Sequence, residues 1–99
     1  MENNTHTYML KGEFIVKYIQ NFYGIIDMLC ENFDIDKINE QLIYWLIKDV
    51  TFREKHGDYD NDYTYHLTVM GYNNEIIFDD YVCQENVESL LEKGWLYEK

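Results

Sequence analysis

The segment Asp58-Tyr59-Asp60-Asn61-Asp62 places three carboxylates at alternate positions. An EF-hand loop begins to wrap calcium with that spacing. Such a loop also needs Gly at its sixth position, for the turn, and Glu at its twelfth, for bidentate ligation. The chain has Tyr63 and Val69 there, so the segment reads as an acidic loop with at most loose cation binding. His56 and His66 flank it, and His6 stands apart. No His-x-x-x-His pair or Glu–His helix motif joins them, so the spacing predicts no metal site. Cys30 and Cys83 form no Cys-x-x-Cys and read as reduced thiols. Ser89 is the only serine, and no nucleophile motif or glycine-rich phosphate loop surrounds it. The expectation is a protein that is not an enzyme and uses no cofactor.

Charge is the stronger signal. Nineteen acids against eight bases give a net charge of −11 on 99 residues, beyond the roughly 2–8 units that suit a small soluble domain. Between His56 and Glu92 lie nine acids and no lysine or arginine. If extended, Asp58, Asp60 and Asp62 point the same way every ~6.6 Å. On a helix, Glu85, Glu88 and Glu92 share one face over roughly 10 Å. Two staggered rows of this kind approximate the phosphate repeat of about 3.4 Å along a DNA strand. The candidate partner-binding surface is therefore Asp58, Asp60, Asp62, Asp79, Asp80, Glu85, Glu88 and Glu92, with Tyr59 and Tyr63 as aromatic contacts. Its complement is a basic protein surface. Direct contact with nucleic acid or an anionic membrane is not expected, because both demand lysine- and arginine-rich surfaces. The competing reading is that the acidity only keeps the protein soluble.

The elements that must carry these residues follow from periodicity. Residues 1–99 are expected to form a single α+β domain, in the order β–α–α–β–β–α. A short strand is expected over 5–10. Apolar residues from Ile15 to Phe33 recur at helical spacing and predict one continuous helix over 13–33. A second helix is expected over 35–52, capped by Asp34 or Asp36, making a helical hairpin. Its meeting face with the first would hold Ile19, Phe22, Ile26, Leu42, Trp45 and Leu46. Residues 54–62 read as loop. The period then changes to two over 63–70, followed by Gly71-Tyr72-Asn73-Asn74 turn chemistry and a partner strand over 75–81 with Ile76, Phe78 and Asp80 on one face. Residues 84–93 read as a short helix, with Val87, Leu90 and Leu91 inward and Gly94 as its stop. Trp95, Leu96 and Tyr97 are expected to fold back on the core. No run reaches the roughly 18 apolar residues of a membrane helix, and the first residues lack a secretory pattern, so a cytoplasmic protein is expected.

In size, charge, lack of alanine and proline and acidic α+β layout, the chain resembles small acidic inhibitors carried by phages and mobile elements. These are the anti-CRISPR and anti-restriction proteins. The resemblance implies a Lys/Arg-lined, nucleic-acid-binding surface of a nuclease as partner, blocked sterically and electrostatically, by a monomer or homodimer. An immunity protein for a basic nuclease toxin, or a phage structural or regulatory protein acting through self-association, would fit the same features.

Overall fold

Period-two alternation over 63–70 produces the strand it predicts. The computed structural model describes residues 6–56 and 63–99. Its elements are β1 (Thr7–Leu10), α1 (Gly12–Gln20), α2 (Tyr23–Phe33), α3 (Glu40–Leu46), β2 (Asp49–His56), β3 (Tyr63–Met70), β4 (Ile76–Cys83), α4 (Gln84–Lys93) and β5 (Leu96–Glu98). The class is α+β. The five strands form one sheet in the order β4-β3-β2-β1-β5, with every neighbouring pair antiparallel.

β2 corrects the second expected helix. Ile43, Ile47 and Val50 fit helical spacing, yet only Glu40–Leu46 is helical. Val50 and Phe52 are fully buried, while Thr51 and Arg53 point the other way. As the middle strand, β2 pairs along its whole length with β3 and over Thr51–Arg53 with β1, so the backbone groups of its centre are satisfied on both sides. The cap of α3 is Asn39, whose Oδ1 accepts from the Leu42 N–H at 2.9 Å. Asp34 instead ends α2, in the left-handed conformation at φ 55°.

The first expected helix is two helices. Asn21 Nδ2 donates to the Lys17 carbonyl at 3.0 Å, a side-chain bond that competes with helical continuation. Phe22 then adopts an extended backbone and begins α2. Its ring lies over Gly24, where an added Cβ would meet Phe22 Cε1 at 3.3 Å. The break turns Phe22 onto Phe78 of β4, with ring centroids 5.7 Å apart.

The helices cover one side of the sheet. Ile19, Ile25, Leu29, Ile43 and Val87 are fully buried in one cluster with Val50, Phe52, Leu67 and Val69. Trp45 does not join them: it is 66% exposed, because the chain leaves helix soon after it. Phe22, Ile26 and Leu46 are partly buried against the cluster, and Leu42 is half-buried. Two expectations for β4 and α4 also change. A register shift at Val69/Met70 leaves Ile76 exposed and buries Ile77, and Leu91 is 37% exposed. Gly94 stops α4 at φ 78°, and the fold-back of the last residues is β5, paired with β1. Trp95 stacks on Phe14 at 4.8 Å beneath the ammonium groups of Lys17 and Lys93. No described helix is long and apolar enough to cross a membrane.

Phe52→Ala should destabilise the chain by about 3–5 kcal/mol, the usual cost of removing a buried aromatic side chain. Trp45→Ala should cost less than about 1 kcal/mol. Urea unfolding followed by circular dichroism separates the two, and equal losses would contradict this core.

Candidate protein-binding surface

The acids of β4 and α4 sit on one continuous element. Cys83 ends the strand and is also the N-cap of the helix, so no loop separates Asp79 and Asp80 from Glu85, Glu88 and Glu92. β4 is an edge strand. All five carboxylates belong to exposed residues, as unpaired charges require.

The structure groups them in two ways. Glu85, Glu88 and Glu92 line one shallow groove on α4 with Ser89 and Leu91, as the three- and four-residue spacings demand. Glu88 is oriented by Gln84, whose Nε2 donates to its Oε2 at 2.6 Å. Burial, then the charges of Glu54, Tyr8 and, least, Glu88, push the pKa of Tyr65 up to about 12. Asp79 and Asp80 diverge. Asp80 pairs with buried Leu67 and lies on the helix-covered side, while Asp79 pairs with Thr68 on the other. Successive strand residues point to opposite faces, so the two acids do not share one face of β4. Asp80 Oδ1 accepts from the Tyr81 N–H at 2.8 Å. Among the described residues, none of these five acids has a lysine or arginine within ion-pair distance.

Asp58, Tyr59, Asp60 and Asp62 lie outside the described residues, and Tyr63 opens β3 opposite His56. Among the described residues, no three His, Cys, Asp or Glu side chains converge as metal ligands would. His66 packs against Tyr81 at 5.1 Å, and Cys30 and Cys83 are free thiols.

Two features escape the sequence reading. His6 Nδ1 meets Glu98 Oε2 at 2.6 Å, joining residues that are 92 positions apart. Only the adjacency of β1 and β5 brings them together. The second is a groove on the side of the sheet away from the helices, where Arg53, His66 and Lys99 lie near Thr7, Met9 and Asp49. Its signal was the alternation over 49–55, hidden under the helical spacing of Ile43, Ile47 and Val50.

The chain matches no protein-family model, no curated protein and no solved structure.

The hydrogen bond to Glu98, then its charge, raise the pKa of His6 from its ordinary 6.5, with a smaller contribution from Glu54 and only partial opposition from desolvation. A raised pKa favours the folded state when the imidazole is protonated. The stabilisation is therefore complete below pH 6.5 and disappears as pH rises through the higher folded-state value. An NMR titration of the His6 ring should show that raised value in the wild type and a return toward 6.5 in Glu98→Gln. The same midpoint in both proteins would dismiss the pairing.

Proposed function

We propose that this chain is a non-catalytic inhibitor. It docks its acidic β4–α4 element on the basic, nucleic-acid-binding surface of a nuclease, in the manner of anti-CRISPR and anti-restriction proteins. The observation that carries the reading is the set of five exposed carboxylates on one element, none of which has a lysine or arginine within ion-pair distance among the described residues. Holding like charges together opposes folding through self-repulsion, and a lysine- and arginine-lined partner relieves it. The α4 row gives the interface a rigid, evenly spaced set of charges. Asp80 extends it along the helix-covered side of β4. Such a surface steers a basic partner at long range and competes with phosphate for the same groove. The setting is the cytoplasm, where a defence nuclease meets foreign DNA.

The tagged chain used as bait in a lysate of its bacterial host should retain a basic nuclease, identified by mass spectrometry. Glu85→Lys, Glu88→Lys and Glu92→Lys together should weaken that complex at least tenfold and slow its formation, whereas reversing Glu13 and Glu40 should change it less than threefold. Equal losses would mean that only net charge matters, and no loss in the first set would move the interface off α4. Bare duplex should not shift in a gel at physiological salt, since −11 repels phosphate.

A further inference from the structure

The helices leave one side of the sheet bare, and that side differs in charge from the rest of the molecule. On β2, the central strand, it presents Lys55 and Arg53 at one end, Thr51 in the middle and Asp49 at the other end. The register extends the polarity sideways. Thr7 and His66 flank Arg53 in one row, with Lys99 bonded to the Thr7 carbonyl at its edge. Asp79 lies in the row of Thr51 and Thr68. Among the described residues, Arg53, Lys55 and Lys99 share this side with Asp49 and Asp79, the bases at one end, Asp79 in the middle row and Asp49 at the other end. Arg53 is the only arginine of the chain, and its guanidinium has no partner among the described residues. Met9, Met70 and Tyr97 supply apolar area beside it.

We infer that this bare sheet side is the interface of a homodimer. Two copies stack sheet on sheet, about a two-fold axis that crosses the strands near Thr51. The basic end of each then lies over the acidic end of the other.

Three considerations select a second copy as occupant. Chains of net −11 repel each other, and Arg53, Lys55 and Lys99 lower that repulsion where two copies meet on this side. Along β2 the polarity is self-complementary under a two-fold, which an isologous interface requires: Arg53 and Lys55 meet Asp49 of the second copy twice over, while Asp79, on the row of the axis, faces Asp79 of the second copy at the β4 edge. The fit in area is also adequate. Four outward rows on β2, β3 and β4 and two each on β1 and the β5 edge, at about 4.8 Å between strands and ~6.6 Å between rows, offer roughly 500 Å² per copy. The resulting total of about 1,000 Å² is at the lower limit for specific association, so the dimer should form at micromolar concentrations rather than below. The helices face outward in this arrangement, and α4 stays accessible on both copies. The inference does not rest on the proposed function.

Sedimentation equilibrium of the intact chain over about 10 µM to 1 mM decides it. The wild type should pass from the 12.1 kDa chain mass to twice that value. Asp49→Lys alone should raise the dissociation constant at least tenfold, and so should Arg53→Glu with Lys55→Glu. The triple variant reverses the polarity and should restore the dimer, with circular dichroism showing each variant folded. A wild type that stays at one chain mass overturns the inference, whatever else binds there. A dimer that ignores the single and double variants, or that the triple variant does not restore, overturns it too. If a reversal variant unfolds, Thr51→Arg replaces it: this enlarges the side chain at the axis, should abolish the dimer, and leaves the inference refuted if it does not.

Discussion

One-sided burial of the sheet is the constraint on which the structure depends. Phe52 and Val50 of β2, together with Leu67 and Val69 of β3, have no accessible surface and share one buried cluster with residues of all four described helices. An antiparallel sheet tolerates a solvated second side, so a chain this short closes its core with one layer of helices. Everything else is arranged around that choice. The break at Asn21 and Phe22 lets α1 and α2 follow the sheet rather than project beyond it. The short α3 gives way quickly to the strand that supplies the centre of the core. The loop-free junction at Cys83 folds α4 back over β3 and β4.

The same constraint sorts the charges. Among the described residues, the buried set contains no charged or polar residue other than tyrosine, so the acids of β4 and α4 stay on the edge strand and the outer side of the helix. Their concentration there is a property of the element as well as of the composition: β4 and α4 contain no lysine or arginine until Lys93. The bare sheet side has the opposite character because Arg53 and Lys55 occupy outward positions of β2. A strongly acidic chain therefore has two surfaces of different electrostatic kind, back to back across one helical layer.

Local patterns were legible where short-range chemistry decides the outcome. Alternation at Tyr63–Met70, turn residues at Gly71–Asn74, and the apolar spacing and glycine stop of α4 need no distant partner. The helical row of Glu85, Glu88 and Glu92 follows from the same local rule. Long-range pairing decided the rest. Residues 49–56 satisfy a helical spacing as well as a strand pattern, and only neighbours on both sides make the strand win. That ambiguity misplaced Trp45 in the core and concealed the Arg53–Asp49 polarity. The His6–Glu98 contact depends on the closing pair β1 and β5, which no window of sequence contains. The divergence of Asp79 and Asp80 was readable from strand period alone, but charge counting treats them as one patch.

Amide hydrogen exchange of the chain bound to its captured partner most directly tests whether the acids form the working surface. The account predicts slower exchange in Gln84–Lys93 and along the β4 edge, with the amides of α1 and α2 unchanged. Slowing confined to α1, α2 or the bare side of β1 and β2, with α4 exchanging as in the free protein, would contradict it.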